Sequence, residues 1–223
     1  RITNYEPSEP GELFYRLNQP SALTSAEVRN AFFGITRQQV KSIIDEFQKN
    51  NLDESFWGFS NARMALDDVV ARSLYLLDEK SLLKKTGSTS LADKYRKGTP
   101  FSSESEKLIR QAGQLLKSSV NFSHGFRPFN KATAQSWLIF TATAIKYFGA
   151  PAIHDRISTF LQQFESTRGF VPVFGLQGEL FKSLENHIGE KATEILFLAY
   201  DDRAKSRVSD TSSVAIRDFA LWI

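Results

Sequence analysis

Side chains that could do chemistry on their own are few in this chain and lie far apart. The three histidines are His124, His154 and His187, and none lies at metal-ligand spacing from another. Asp67 and Asp68 are adjacent, but neighbouring residues on a helix do not face one another. We therefore expect no zinc site and interpret the two aspartates as part of a solvated helix face. The chain has no cysteine, which excludes disulfides and thiolate metal sites.

No complete catalytic or phosphate-binding motif occurs in the sequence. The Gly-x-Ser-x-Gly pattern of hydrolases, the His-Glu-x-x-His pattern of zinc proteases and the Gly-x-x-x-x-Gly-Lys-Ser/Thr phosphate loop are all missing. The residues alone therefore identify no reaction.

Positive charge is concentrated in two segments. Between Lys80 and Pro100, basic residues surround a Gly-Ser-Thr-Ser loop and Asp93 is the single acid. One interpretation is a mobile, solvated connector, and the other is a surface that contacts a nucleic-acid backbone. The candidate phosphate contacts, including two near the C-terminus, are Lys84, Lys85, Arg96, Lys97, Arg203 and Arg207. The net charge of +3 is compatible with a nucleic-acid partner without requiring one.

An aromatic group surrounds Gly58. Phe56, Trp57 and Phe59 lie within four residues of one another. Aromatic side chains in such a segment usually fill the space under a loop, and this is the interpretation that we favour. The alternative is a platform on which nucleic-acid bases stack.

The segment from Leu13 to Gly34 has the sharpest local pattern. Apolar residues at helical spacing predict a helix over 12–17, and Asn18-Gln19-Pro20 then ends it, because proline disfavours helical backbone at the preceding residue. Thr24 and Glu27 form a capping box that starts a second helix, which Gly34 is expected to end. The expected buried face of that helix is Val28, Ala31 and Phe32.

These residues resemble the GmrSD-type family of bacterial restriction and phage-defence proteins. In that family a ParB/sulfiredoxin-like N-terminal domain carries an Asp-Gly-Gln-Gln-Arg motif, and a phenylalanine followed four residues later by an asparagine comes downstream. Phe14 and Asn18 match that pair, with Arg16 between them. The family's next motif is matched by Leu23, Thr24, Glu27, Arg29, Asn30 and Ala31. The C-terminal stretch is also similar to relatives, at Ser206 to Asp210, Ser213, Arg217 and Asp218.

The resemblance implies a nucleotide pocket bordered by Phe14 and Asn18, with Arg16 neutralising phosphate. It implies a nucleoside triphosphate and a divalent metal in the full-length protein, and DNA as the target. This chain lacks the Asp-Gly-Gln-Gln-Arg motif. We therefore expect that the domain that carries this motif lies upstream of Arg1 or has been lost. We also expect this fragment alone to be inactive and to hold no cofactor. An upstream domain or a partner subunit would then contact the helical part.

Two other functions remain open. The chain could be a non-enzymatic helical module that binds DNA or a protein, or it could serve only as structural support or in oligomerisation. Without the resemblance, Phe14 would be placed in the core and Asn18 would be a helix C-cap.

Apolar spacing of three and four dominates the chain and predicts a mainly α fold. We expect a bundle of roughly eight to ten helices with little or no sheet. The uncharged stretch Ala132–Ile145 is predicted to be the central buried helix, and Gly169–Gly175 a loop or an isolated strand. We expect residues 1–223 to form one helical domain, with a possible boundary at 80–100. No membrane span or signal peptide is evident, and the absence of cysteine fits the cytoplasm.

Overall fold

The fold consists of helices, as the apolar spacing predicts. A computed structural model describes residues 9–17, 23–120, 128–174, 178–205 and 209–223. Every regular element in these ranges is helical, so the prediction of a mainly α bundle is confirmed. The α-helices are α1 (Glu9–Leu17), α2 (Ser25–Asn30), α3 (Ile35–Lys49), α4 (Glu54–Trp57), α5 (Ala65–Glu79), α6 (Ser88–Arg96), α7 (Ser103–Ser119), α8 (Lys131–Phe148), α9 (Ala150–Phe174), α10 (Glu179–Ile188), α11 (Glu190–Ala204) and α12 (Thr211–Trp222). A 3-10 turn, Ala62–Met64, precedes α5.

Helix α8 is the centre of the bundle, as its lack of charge predicts. Nearly every side chain from Ala132 to Ile145 is buried, because α5, α7, α9 and α12 surround it. Asn130 begins the helix by accepting hydrogen bonds from the backbone N–H groups of Ala132 and Thr133. The neighbouring helices are therefore positioned by their contacts with α8.

Helix α3 packs on the bundle through one apolar stripe. Val40, Ile43, Ile44 and Phe47 repeat at three and four residues, and all four are buried. The Phe47 ring lies against Gly113 of α7, where an added Cβ atom would come within 2.5 Å of the ring. The close approach of α3 and α7 therefore requires glycine at this position.

The segment 80–100 is more ordered than a solvated connector. It contains α6, whose Leu91 and Tyr95 lie four residues apart and are buried in the main hydrophobic core. Because basic and polar residues dominate the segment, its sequence was not interpreted as a short amphipathic helix. The interpretation of the whole segment as a solvated connector is wrong.

The prediction of a loop or an isolated strand over 169–175 is wrong for residues 169–174, because α9 continues to Phe174. Gly175 lies outside the described residues. Glycine lowers helix stability by about 1 kcal/mol, which is too little to end a helix whose earlier turns are packed in a core. Pro172 falls in the last turn, near the helix end.

Two further boundaries differ from the sequence prediction. The aromatic segment around Gly58 contains the short helix α4, and Gly34 precedes α3 as its N-cap. Helix α2 instead ends at Asn30. No helix in the described ranges is both long and apolar enough to cross a membrane.

Candidate functional site

Helix α1 presents two of the three residues that the resemblance places at a nucleotide pocket. Phe14 is 43% exposed, so its alternative placement in the core is wrong. Arg16 is exposed and lies 3.6 Å from the Glu12 carboxylate, one helical turn away. Asn18 lies outside the described residues. We call Leu13, Phe14 and Arg16 the α1 surface.

A close backbone contact and an ion pair hold α1 against the rest of the fold. A Cβ atom added to Gly11 would lie 2.5 Å from the Ala31 carbonyl oxygen, so α1 and the end of α2 approach as closely as glycine allows. Glu12 also pairs with Arg96 of α6 at 3.4 Å. The exposed apolar residues Phe33 and Ile35 follow at the corner between α2 and α3.

The predicted capping box at the start of α2 is confirmed. The Thr24 N–H donates to a Glu27 carboxylate oxygen at 2.7 Å, and the Glu27 N–H donates to the Thr24 hydroxyl oxygen at 3.2 Å. Arg63 also pairs with Glu27, at 3.0 Å. The hydrogen bond from Arg63, followed by that from Thr24, lowers the pKa of Glu27 to about 2. The charged carboxylate therefore ties the helix start to the turn before α5.

Arg29 lies on the buried face of α2, where the sequence predicted apolar residues. Its side chain is 2% exposed, whereas Val28 and Ala31 are half-buried. The physical reason is a partner far along the chain, because the Arg29 guanidinium donates to Asp68 of α5. The guanidinium also lies 5.8 Å from the centre of the Tyr95 ring.

Asp68 joins two buried arginines, which contradicts its assignment to a solvated face. Besides Arg29, it pairs with Arg72 at 2.9 Å, and Arg72 donates to the backbone carbonyl of Thr86. Burial raises the pKa of Asp68, but the charges and hydrogen bonds of Arg72 and Arg29 outweigh burial and leave the pKa below its ordinary value. Asp67 points elsewhere and accepts from Asn61 at 3.4 Å. We call Arg29, Asp68 and Arg72 the buried ion cluster.

The N-terminal residues that carry the family resemblance thus lie close together around α2. The contacts that they make there are ones that hold the fold together. Thr24 and Glu27 form the cap, Arg29 enters the buried ion cluster, and Asn30 accepts from Arg37 of α3 at 3.0 Å. The C-terminal residues behave similarly. Asp210 caps α12, and the buried Arg217 donates to the Ser136 hydroxyl of α8 at 2.8 Å. Residues 206–208 lie outside the described ranges.

The predicted phosphate contacts are distributed among several local ion pairs. Lys84 lies 3.2 Å from Glu79, and Arg96 binds both Glu12 and Asp93. Arg203 is half-buried and lies 3.5 Å from Asp202. Lys85 and Lys97 are exposed, and Arg207 lies outside the described residues. Internal carboxylates therefore offset part of the positive charge, and nucleic-acid contact stays a prediction.

The aromatic group at Gly58 is a buried plug. Trp57 is 1% exposed, and its indole N–H donates to the Leu52 carbonyl at 3.0 Å. Phe56 is buried with its ring edge against Trp57, and Phe59 is half-buried. Because Phe56 and Trp57 are covered by protein, the base-stacking alternative is wrong for them.

Ser118, His154 and Asp155 form a hydrogen-bonded chain that the sequence did not reveal. Ser118 Oγ lies 3.1 Å from His154 Nε2, and His154 Nδ1 lies 3.0 Å from Asp155 Oδ1. The Ser118 hydroxyl also lies 2.9 Å from the Leu115 carbonyl, which competes for its proton. Asp155 is fully exposed, whereas the aspartate of a catalytic triad is buried. We assign this chain of residues no catalytic role.

Across the described ranges, no group of three or more His, Asp or Glu side chains is arranged to hold a metal ion. His124 lies outside these ranges.

No family model, curated protein or solved structure matches this chain.

Proposed function

We propose that this chain is the helical part of a GmrSD-like, nucleotide-dependent, DNA-targeting defence protein. Its α1 surface forms one wall of a nucleotide site, and the ParB/sulfiredoxin-like domain that the resemblance implies supplies the other wall and the Asp-Gly-Gln-Gln-Arg motif. A nucleoside triphosphate and a divalent metal belong to the complete site. The helical part supports and orients that site.

The exposure of Phe14 is the observation that carries this proposal. A large aromatic side chain on an otherwise amphipathic helix would normally be buried, yet Phe14 and the neighbouring Leu13 both face outward. An exposed aromatic ring can stack on a nucleotide base, and a guanidinium can bind phosphate oxygens in pairs. Phe14 and Arg16 offer these two groups on one helix. Because residues two apart lie on different faces of a helix, the two side chains would contact different parts of the nucleotide.

The contacts beneath α1 are suited to such a supporting role. Gly11 and Glu12 fix α1 on α2 and α6, and Arg29 fixes α2 on α5 through the buried ion cluster. Because these contacts fix α1 in place, the α1 surface would lose little conformational freedom on binding a ligand, which favours affinity.

A protein-binding module is the second candidate, because of the apolar character of the same surface. Leu13, Phe14, Phe33 and Ile35 are all exposed apolar residues near the corner formed by α1, α2 and α3. An exposed apolar patch is typical of a protein interface. In this case the surface would bind a neighbouring domain or subunit without contacting a nucleotide.

The test uses the protein that joins the N-terminal domain to this chain. Phe14→Ala and Arg16→Ala are each expected to lower kcat/KM for nucleoside triphosphate hydrolysis at least tenfold while the circular dichroism spectrum stays unchanged. Phe219→Ala, at another exposed phenylalanine on α12, is the matched control and is expected to leave hydrolysis unchanged. Full activity in both α1 variants would reject the nucleotide wall and favour the protein-binding module.

A further inference from the structure

An open cleft of about 730 Å³ lies between α8, α9 and α12, and no residue of the α1 surface lines it. Helices α9 and α12 both pack on α8 but hardly touch each other, so the side of α8 between them forms the floor of the cleft. Small-molecule sites in proteins are typically clefts of roughly 300–1,000 Å³ with mainly apolar walls. We call this space the α9/α12 cleft.

Aromatic rings form the inner wall of the α9/α12 cleft. The Phe140 ring of α8 makes an edge-to-face contact with Trp222 of α12, with 4.7 Å between the ring centres, and its centre lies 5.8 Å from that of Phe160 of α9. The Trp222 side chain also hydrogen-bonds Asp218, one turn earlier on α12. These contacts hold the rings in place before a ligand binds, and a pre-formed wall reduces the entropy that binding costs.

Arg156 supplies the charge of the cleft. Among the described residues that line it, Arg156 alone has an ionisable side chain. Arg156 lies one helical turn from both Ala152 and Phe160, so its side chain is on the face of α9 that borders the cleft.

The Arg156 guanidinium has no anionic partner in the described part of the chain. It is exposed and forms no hydrogen bond or ion pair there, and its neighbour Asp155 pairs with His154 instead. The terminal carboxylate of the 223-residue chain, on Ile223, does not pair with Arg156 either. The cleft therefore combines apolar walls with one cation whose charge is left for an anion.

We propose that the α9/α12 cleft binds a monocarboxylic acid with an apolar body, whose carboxylate pairs with the Arg156 guanidinium. The planar guanidinium matches the two oxygens of a carboxylate and can donate two parallel hydrogen bonds to them. The apolar body of the acid lies against Phe140, Phe160 and Trp222, where it is removed from water. This site is independent of the proposed nucleotide wall.

Most of the affinity is expected to come from the apolar contact. Because Arg156 is exposed, water screens its charge, and an exposed ion pair contributes little. A carboxylate is therefore expected to improve affinity by about threefold over an uncharged group of similar size. An ammonium group in its place is expected to reduce affinity, because it would lie beside a like charge.

Amide NMR titrations of the 223-residue chain at pH 7 test the proposal with three ligands of one chain length and different charge. Octanoate is expected to bind about threefold more tightly than octanol, and octanol more tightly than octylammonium. Octanoate is also expected to shift the amide signals of Ala144, Ile153 and Ile157, because these residues line the cleft.

Two variants separate the charge from the apolar contact. Arg156→Gln is expected to remove the preference for octanoate over octanol while octanol binding stays unchanged. Lys49→Gln, at an exposed lysine on α3, is the matched control and is expected to keep the preference. Ala152→Trp fills part of the cleft and is expected to weaken the binding of octanoate and octanol alike, by about tenfold or more.

Equal binding of octanoate and octanol by the parent chain, tighter binding of octylammonium, or shifts confined to other parts of the chain would overturn the proposal. Arg156→Gln changes an exposed side chain, so it keeps the proposal testable if Ala152→Trp does not fold. Sedimentation of the parent chain covers the remaining occupant. A dimer that Ala152→Trp disrupts, together with no binding of octanoate, would make the cleft an interface between two copies and reject the acid site.

Discussion

At the scale of single residues, Asp68 is the carboxylate that two buried arginines near the candidate site share. It faces two guanidinium groups whose side chains are almost fully buried, Arg29 and Arg72. A buried ion pair adds little net stability over apolar residues of the same size, but removal of one member leaves a charge uncompensated. Loss of the Asp68 charge would leave both arginines without their shared carboxylate. Asp68 therefore fixes α2, and with it α1, against α5.

Asp68→Asn is expected to lower the free energy of unfolding by about 3–5 kcal/mol, because it leaves two buried arginines without a counter-ion. Asp67→Asn is the matched control, since burial raises the pKa of Asp67 and removal of its charge costs little. Urea unfolding at pH 7 measures both variants. Equal losses in the two variants would mean that the buried ion cluster has no special role.

The pH dependence of the same contribution has a fixed sign. The pKa of Asp68 is lower in the folded chain than in the unfolded chain, so its stabilising contribution is fully present above the unfolded pKa of about 3.9. It is lost as the pH falls through the lower, folded pKa. The stability difference between the parent chain and Asp68→Asn is therefore expected to narrow below about pH 4.

At the scale of elements, the beginnings of helices were easier to predict than the contacts that the helices make with one another. The cap at Thr24 lies where the sequence placed it, because capping depends on residues within one turn. The apolar stripe of α3 was also visible in the sequence. Arg29 could not be placed, since its partner lies 39 residues away. The spacing of Leu91 and Tyr95 was the missed signal for α6.

Thr24→Ala tests the capping box that begins α2. The change removes the hydroxyl that accepts from the Glu27 N–H, and it is expected to lower stability by about 1 kcal/mol, the usual contribution of an N-cap. Thr89→Ala, at an exposed threonine within α6, controls for the loss of a threonine side chain. The measurement is the urea concentration at the midpoint of unfolding, compared between chains whose unfolding free energy has the same dependence on urea. Coinciding midpoints for Thr24→Ala and the parent chain would contradict a stabilising role of the capping box.

At the scale of the whole molecule, a large hydrophobic cluster extends from Phe32 to Leu221 around α8. The helical class and the central helix followed from composition and spacing alone. The candidate site did not, because the exposure of Phe14 and the burial of Arg29 depend on how distant helices meet. The α1 surface lies at the periphery of this bundle, where a further domain or subunit can reach it.

The most direct test of the proposed split nucleotide site is turnover of ATP and GTP by the 223-residue chain by itself. This chain provides Phe14 and Arg16 but no Asp-Gly-Gln-Gln-Arg motif, so hydrolysis is expected to equal the protein-free background. A protein that joins the proposed N-terminal domain to this chain is expected to hydrolyse nucleotide under the same conditions, and Asn18→Ala is expected to weaken that activity. Robust hydrolysis by the 223-residue chain alone would contradict the central claim that the helical part supplies one wall of the pocket.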